Sequence, residues 1–247
     1  MSGHSKWSTI KHKKGKADAA RGKLFTRLIK EITVAARMGN GDEATNPRLR
    51  TAALAARAAN MPNDNIDRAI KRGTGELEGV DYIEITYEGY GPEGAAVMVD
   101  VVTDNRNRTV SEVRKIFSKF GGKMGEPGSV AWIFTKRGRV VLEGNLDEDM
   151  VMEATLEAGA DDIVINEEFT EVFSEYGDLY AVKEACEVAG FTVEEAGVIQ
   201  VPSNTVPLTG KHAATMMRLM EAMDDQDDCQ NVWANYDIDD QELDDME

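Results

Sequence analysis

Residues 139–201 read RVVLEGNLDEDMVMEATLEAGADDIVINEEFTEVFSEYGDLYAVKEACEVAGFTVEEAGVIQV, and the order of elements within them decides the fold. Alternating or short continuous apolar runs predict strands at Arg139–Glu143, Asp162–Asn166, Thr170–Ser174 and Val193–Val201. Helical spacing predicts helices at Glu148–Ala158 and Leu179–Ala189, ended by Gly159 and Gly190. The resulting βαββαβ order is that of a ferredoxin-like α+β domain.

The segments on either side of this stretch predict a second, interrupted domain. Before it come predicted strands at Tyr82–Glu88, Ala95–Thr103 and Ser129–Thr135, with a helix that the capping box Thr109–Glu112 opens. After it come a predicted helix at His212–Met223 and a strand at Asn231–Tyr236. We therefore predict that residues 138–204 form an α+β domain inserted into a similar domain made of residues 76–137 and 205–240.

The first part of the chain has helical periodicity only. Apolar spacing predicts helices at Asp18–Arg37 and Arg48–Ala59, followed by a third that buries Ile66, Ala69 and Ile70 and stops at Gly73. The fold class is therefore α+β with three domains, in which a basic arm (1–20) precedes a helical domain (21–75) and an acidic tail (241–247) ends the chain. The short break between the second and third helices fits either a helix-turn-helix unit that enters a major groove or a plain three-helix bundle.

The charge of the chain is strongly polarised. Residues 1–75 hold 16 Lys and Arg against 6 Asp and Glu, a net of +10, although the whole chain holds 28 against 45 and has a formal net charge of −17. The remainder is therefore −27, and residues 224–247 hold 11 acidic residues and neither Lys nor Arg. One end is suited to meet a polyanion. The acidic end is interpreted as a solvated tail, with screening of the basic end as the alternative.

The basic end predicts contact with nucleic acid. Its opening, MSGHSKWSTIKHKKGKADAARGK, places cations around a single aromatic side chain, a composition suited to phosphate neutralisation and base stacking. The predicted contacts in the arm and the first helix are Lys6, Trp7, Lys11, His12, Lys13, Lys14, Lys16, Arg21, Lys23, Arg27 and Lys30. The third helix adds Arg68, Lys71 and Arg72, and the loop before the capping box adds Arg106 and Arg108 as secondary contacts.

Membrane and dinucleotide functions find little support. No apolar run is long enough to cross a membrane and no secretory signal opens the chain, so we expect a cytoplasmic protein. The segment Gly89–Gly94 matches the dinucleotide-binding pattern G-x-G-x-x-G. However, Pro92 removes a backbone donor, and a strand follows where the pattern needs a helix N-terminus, so we predict a tight connection between strands.

Metal and catalytic functions also lack a signature. His4, His12 and His212 lack metal-ligand spacing, and no nucleophile-and-base motif appears. Cys186 and Cys229 lie in apolar segments and are predicted to be buried thiols. We expect no metal, no cofactor, no small-molecule substrate and no catalysis; an enzyme site between the two α+β domains is the third alternative.

Several long motifs resemble the YebC family. They are Gly3–Trp7, Lys16–Lys23, Met61–Pro62, Asp64–Ile66, Arg68–Gly73, Tyr87–Pro92, Thr103–Arg114 and Gly125–Val130. The resemblance runs from end to end of the chain. Two departures are Glu93, where the family usually has Gly, and the acidic tail after Asp237, which matches no pattern of the family.

This resemblance implies a three-domain cytoplasmic protein with a helical first domain. Bacterial relatives are described as DNA-binding transcriptional regulators. The family also includes the mitochondrial translational activator of cytochrome oxidase subunit I, and some bacterial members are linked to ribosomes slowed at proline-rich stretches. The resemblance and the basic end together favour a DNA-binding regulator of transcription, with a ribosome-associated, RNA-binding translation factor as the alternative.

Overall fold

A computed structural model describes residues 19–239 and 242–243, with side chains given from residue 22 onward. Residues 132–204 form one compact unit, and the described residues before and after them form the other. The helices are α1 (Ala19–Met38), α2 (Pro47–Ala58), α3 (Asn63–Thr74), α4 (Arg106–Lys119), α5 (Glu148–Thr155), α6 (Leu179–Val188) and α7 (Gly210–Asp224). The strands are β1 (Ile83–Tyr90), β2 (Ala96–Thr103), β3 (Lys123–Met124), β4 (Phe134–Glu143), β5 (Ala160–Ile165), β6 (Phe169–Glu175), β7 (Val193–Pro202), β8 (Val206–Pro207), β9 (Cys229–Ala234) and β10 (Tyr236–Asp237). The predicted α+β class, helical first and followed by two sheet domains, is confirmed.

The three N-terminal helices share one apolar core. Its buried side chains are Ile32, Ala35, Ala36, Leu49, Ala52, Ala53, Ala56, Met61, Ile66 and Ala69. The many alanines let the helix backbones approach closely. The Asn46 side chain caps α2, accepting a hydrogen bond from Leu49 N at 3.1 Å, and Pro47 occupies the first helical position. The predicted first two helices are confirmed.

The end of α3 differs from the prediction. The helix continues through Gly73 to Thr74, and Gly75, with φ 82°, is the left-handed residue that closes it. Gly73 instead marks the crossing of α3 over α1, because a Cβ there would lie 2.4 Å from the Thr33 carbonyl oxygen and 2.7 Å from Ala36 Cβ. Gly73 therefore allows close packing of the two helices and does not end α3.

A pair of glycine substitutions tests this crossing. We expect Gly73→Ala to lower the free energy of unfolding by about 1–3 kcal/mol, because the added methyl group overpacks the crossing. Gly22→Ala, in α1 with nothing within 4 Å of its added Cβ, is expected to raise it by about 0.5–1 kcal/mol. Urea unfolding followed by circular dichroism measures both. Equal stabilities of the two variants would contradict the close crossing.

The first sheet is completed by chain from both sides of the insertion. Its strand order is β3-β1-β2-β9, antiparallel throughout, with β2 paired to β9 from Val97↔Ala234 to Val101↔Cys229. Helices α4 and α7 supply Phe117 and Met216 to the core beneath it. The predicted return of the chain to finish this sheet is confirmed. The short strands β8 and β10 pair in parallel beside it.

Two local predictions in this domain are wrong. Ser129–Thr135 is not a strand: the third strand is the short β3, and β4 begins only at Phe134, before the residue 138 at which we expected the inserted domain to start. Backbone donors that a ladder would need are taken by the Glu88 carboxylate, which accepts from Gly128 N, Val130 N and Ala131 N at 2.6, 2.7 and 2.8 Å.

The helix α4 starts one turn earlier than the predicted capping box. Asn105 is its N-cap, accepting from Arg108 N at 3.1 Å. Thr109 lies inside the helix and is fully buried. Its hydroxyl donates to Asp228 Oδ2 at 2.7 Å, so it is not available to cap a helix end.

The glycine-rich segment that follows β1 is a hairpin connection, as predicted. Tyr90 pairs with Ala96, and the intervening turn places Glu93 at φ 53° and Gly94 at φ 77°. Positive φ favours Gly, which is what the YebC pattern has at position 93. In this chain the Glu93 carboxylate contacts His212 Nδ1 at 2.6 Å.

The unit of residues 132–204 has the predicted ferredoxin-like order. Its sheet runs β5-β6-β4-β7, all pairs antiparallel, and α5 and α6 share one core with it. Cys186 in this unit and Cys229 in the first sheet are buried thiols, as predicted, and burial raises the pKa of Cys186 to about 11. A buried ion pair joins Arg139 Nη1 to Glu171 Oε1 at 3.2 Å.

Candidate nucleic-acid interface

The basic face of α1 is largely neutralised within the protein. Lys23 Nζ lies 2.7 Å from Asp225 Oδ1, Arg27 Nη1 lies 3.1 Å from Asp224 Oδ1, and Lys30 Nζ lies 2.8 Å from Asp228 Oδ1. All three aspartates come from the end of α7 and the turn after it. These ion pairs join the helical region to the first sheet domain. Screening of the basic end by the acidic tail stays a prediction.

Asp228 is the centre of this junction. Its Oδ2 accepts from Thr109 Oγ1 at 2.7 Å, Arg108 Nη2 at 2.8 Å and Thr103 Oγ1 at 3.0 Å, while Oδ1 binds Lys30. The side chains of Lys30 and Asp228 are only 8% and 3% exposed. Burial raises the pKa of Asp228, but hydrogen bonds from Arg108, Lys30 and Thr109 outweigh it and hold this pKa well below the ordinary value. The carboxylate therefore stays ionised.

Three further cations, Arg37 of α1 and Arg48 and Arg57 of α2, also form ion pairs. Arg48 bridges Glu31 and Glu84 at 2.7 and 2.5 Å, and the hydrogen bond to Glu31 is the main cause that raises the pKa of Arg48. The two other pairs are Arg37 with Asp81 at 3.0 Å and Arg57 with Glu43 at 2.6 Å. These cations hold the helices together and to β1.

The predicted contact residues of α3 remain open. Arg68, Lys71 and Arg72 are exposed, and helical spacing of three and four residues puts them on one side, opposite the buried Ile66 and Ala69. Arg68 donates locally to Asn65 Oδ1 at 2.5 Å and to Asp64 O at 3.1 Å. Within residues 19–239 and 242–243, none of the three has a carboxylate at ion-pair distance. The α3 basic face, as we call Arg68, Lys71 and Arg72, can therefore meet external anions.

The structure gives the other predicted residues different surroundings. Lys30 is buried, and Arg108 joins Asp104 and Asp228 at 2.9 and 2.8 Å, so both serve the junction at Asp228 within the protein. Arg106 is exposed at the start of α4. The predicted contacts Lys6, Trp7, Lys11, His12, Lys13, Lys14 and Lys16 lie outside the described residues, as does the side chain of Arg21. The nucleic-acid role of each remains a prediction.

Two of the motifs that resemble the YebC family, Tyr87–Pro92 and Gly125–Val130, are joined by hydrogen bonds. Glu88 is buried and, besides binding the 128–131 backbone, accepts through its main-chain carbonyl from Gly125 N at 2.8 Å. Tyr90 Oη donates to Ser129 O at 3.0 Å. Burial raises the pKa of Glu88, but hydrogen bonds from Gly128, Val130 and Ala131 outweigh it and lower the pKa below its ordinary value. The residue types of these two motifs are therefore explained by the hydrogen bonds that hold the loop at residues 125–131 against β1.

Sequence reasoning missed Asp228 and three exposed cations of α4, Arg114, Lys115 and Lys119. The aspartate was grouped with the acidic end as a solvated residue, although the nearby apolar residues Cys229, Val232, Trp233 and Ala234 indicate buried chain. In the described part of the chain, no group of three His, Cys, Asp or Glu is arranged to hold a metal ion. No described helix is long and apolar enough to span a membrane.

Comparisons with known proteins agree along the whole chain. A family model described as the TACO1/YebC protein N-terminal domain matches residues 5–76, and one described as the TACO1/YebC second and third domain matches residues 82–236. A "Probable transcriptional regulatory protein" of Trichlorobacter lovleyi is 56% identical over 246 residues, 100% of both chains. One of Geobacter sulfurreducens is 57% identical over 243 residues, 98% of both. The crystal structure of a conserved hypothetical protein from Aquifex aeolicus, 45% identical, superposes with a TM-score of 0.86 over 94% of this chain and 96% of that one.

Proposed function

The chain belongs to the TACO1/YebC family, and from that premise we propose that it is a non-catalytic, nucleic-acid-binding regulator of gene expression whose leading target is DNA in transcription. The relatives named as probable transcriptional regulatory proteins support the transcriptional role. We propose a cytoplasmic location, in which the protein would meet both candidate targets, DNA and ribosomes.

The observation that carries the proposal is the open α3 basic face in an acidic chain. The whole chain has a net charge of −17, and most cations on the described part of α1 and α2 pair with carboxylates. Arg68, Lys71 and Arg72 keep their charge available, and they belong to the same basic end as the arm. Cations that face phosphates release condensed counterions, which supplies sequence-independent affinity.

The junction at Asp228 gives this surface a fixed orientation. It binds Lys30 of α1 and Arg108 of α4 to the same carboxylate, and α3 crosses closely over α1 at Gly73. The α3 basic face is therefore presented by a rigid support. In the proposed mechanism the arm and this face neutralise backbone phosphates, and the sheet domains position the complex or meet a protein partner.

Translation is the second candidate, and Trp7 favours it. A tryptophan among lysines suits stacking on unpaired bases, which folded RNA offers and a duplex does not. In this alternative the protein binds the ribosome and the arm contacts ribosomal RNA. An enzyme is disfavoured because the described groups with strongly shifted pKa values have structural roles. Asp228 and Arg48 lie in ion pairs that join structural elements, and Tyr236 and Cys186 are buried in the two sheet-domain cores.

Target choice is tested by sedimenting the full chain with ribosomes at physiological salt, beside a titration of duplex DNA at the same salt. A transcriptional regulator is expected to prefer one duplex sequence by about 10³-fold or more over bulk DNA and to stay off ribosomes. Ribosome association with only weak, sequence-blind DNA binding would reject transcription in favour of translation. Binding to neither would reject the proposed function.

The α3 basic face is tested with the variant R68Q/K71Q/R72Q. We expect weaker binding to nucleic acid and a salt dependence flattened by up to about 0.9 for each duplex phosphate that is no longer neutralised. The matched control is K136Q/K211Q/R218Q, which removes the same charge at three exposed positions elsewhere. Fluorescence anisotropy over a salt series measures both. If the α3 variant binds like the control, phosphate contact by this face is disproved.

A further inference from the structure

A second group of open cations lies on α4 and β3. Its members are Arg114, Lys115, Lys119 and Lys123, all exposed, which we call the α4 basic face. In the part of the chain that the structure describes, none of the four has a carboxylate at ion-pair distance. Glu112, the acidic residue within α4, is half-buried and accepts from Gln226 Nε2 at 2.9 Å.

The orientation of this face is fixed by what α4 buries. Thr109, Val113 and Phe117 follow one another at four-residue spacing and point into the core, so Arg114, Lys115 and Lys119 lie on the outer side. Ser111 and Ser118 share that outer side and add no charge. From Arg114 to Lys119 the helix rises about 7.5 Å, at about 1.5 Å per residue. The face is a compact group of cations on a rigid helix.

A solvated helix surface is the usual explanation of such a group, but the rest of this chain argues against it. Acidic residues outnumber basic ones by 45 to 28. In the unit of residues 132–204, Arg137 pairs with Asp161, Arg139 with Glu171 and Glu195, and Lys183 with Glu187. Lys136, Lys211 and Arg218 also lack an ion pair in the described chain, but they are farther apart in sequence, whereas Arg114, Lys115 and Lys119 lie within six residues of one helix. A solvent-facing helix here needs no excess of positive charge.

The helices that carry the two basic faces are both fixed to α1. A Cβ at Gly73 of α3 would lie 2.4 Å from the carbonyl oxygen of Thr33 in α1. Lys30 of α1 shares the Asp228 carboxylate with Arg108 in the first turn of α4. The α3 and α4 basic faces therefore belong to one connected unit.

We propose that the α4 basic face is a second phosphate-binding surface, which extends the nucleic-acid footprint from α3 along α4. This inference rests on the proposed function and adds the path that the nucleic acid takes across the protein. The shared chemistry is the phosphate backbone. The rise of about 7.5 Å from Arg114 to Lys119 matches about two phosphate spacings along one strand of a duplex, each about 3.4 Å along the axis.

The test compares R114Q/K115Q/K119Q with K136Q/K211Q/R218Q, both in the full chain, and it uses a mixed-sequence DNA duplex and an RNA hairpin as probes. We expect the α4 variant to lose affinity by about 10-fold to 100-fold at physiological salt and its salt slope to flatten by up to about 2.7 on the duplex. The two probes show which polymer the face prefers. A second variant, K119Q/K123Q, reaches the same face from its other end and is used if the triple variant does not fold.

The outcomes separate this inference from the proposed function. If the wild type binds both probes weakly and without salt dependence, the proposed function fails and the inference fails with it. If the wild type binds tightly and R68Q/K71Q/R72Q binds weakly, but the α4 variants match the control, only the inference fails. Unchanged nucleic-acid affinity with lost binding to polyglutamate would also overturn it, because the face would then serve an acidic protein.

Discussion

Asp228→Asn is expected to lower the free energy of unfolding by about 3–5 kcal/mol, because it leaves the buried Lys30 ammonium without its counter-charge. Arg108 adds little to this loss, since its side chain is 44% exposed and solvent screens its pair with Asp228. The amide can still accept from Thr103 and Thr109, so the change isolates charge from shape. Urea unfolding at neutral pH measures the effect.

The neighbouring Asp227→Asn is the matched control. Asp227 is exposed, and only its main-chain carbonyl contacts Lys30, at 3.0 Å. Its substitution is expected to change stability by no more than about 0.5 kcal/mol. If both variants unfold at the wild-type urea concentration, the junction at Asp228 does not hold the helical region to the sheet domain.

The pH dependence of the same variant has a definite sign. The folded-state pKa of Asp228 lies below its ordinary value of 3.8, so its contribution to stability is present above that value and is lost as pH falls toward the folded-state pKa. The stability difference between the wild type and Asp228→Asn should be constant near neutral pH and shrink below pH 3.8. A difference that grows on acidification would mean that Asp228 is not the ionised partner.

The second large effect is expected from the arm. Replacing Lys11, Lys13, Lys14 and Lys16 with Ala should weaken binding to every nucleic acid tested and flatten the salt slope by up to about 3.6 on duplex DNA, at about 0.9 for each phosphate that the arm no longer neutralises. The weakening should not depend on sequence, because phosphate contacts position a protein without reading bases. Anisotropy titrations over a salt series measure the affinity and the slope together.

Lysine-to-arginine replacement at the same four positions is the control for the arm. Arginine keeps the positive charge and should keep the salt slope of binding. Alanine removes the charge and should flatten that slope. Unchanged affinity and slope in the alanine variant would move the interaction away from the arm, to the α3 or α4 basic faces. Weak binding by both variants would show that lysine itself, and not charge, is required.

Much of the fold follows from local patterns. The βαββαβ order of residues 139–201 was readable because apolar periodicity and the stops at Gly159 and Gly190 are properties of neighbouring residues. Errors arose where a residue's role depends on distant chain. Gly73 has the pattern of a helix stop, yet its closeness to Thr33 and Ala36 is what excludes any larger side chain there.

The candidate interface was less predictable for the same reason. Lys30 lies off the apolar stripe of α1 and was therefore placed on the surface, but its partner Asp228 is 198 residues away in sequence. Helical periodicity predicts which side of a helix is polar, but it does not predict which residues contact that side. The α3 basic face was predictable because its exposure follows from the burial of Ile66 and Ala69 on the other side of a short amphipathic helix.

The most direct test of the central claim is ultraviolet cross-linking of the full chain to a bound nucleic acid, with the cross-linked peptides identified by mass spectrometry. Duplex DNA and an RNA hairpin are used in parallel. We expect cross-links in residues 1–75, in the arm and in α3, with further ones along α4. Cross-links confined to residues 132–204 would contradict it, because the acidic part of the chain and not its basic end would then meet the nucleic acid.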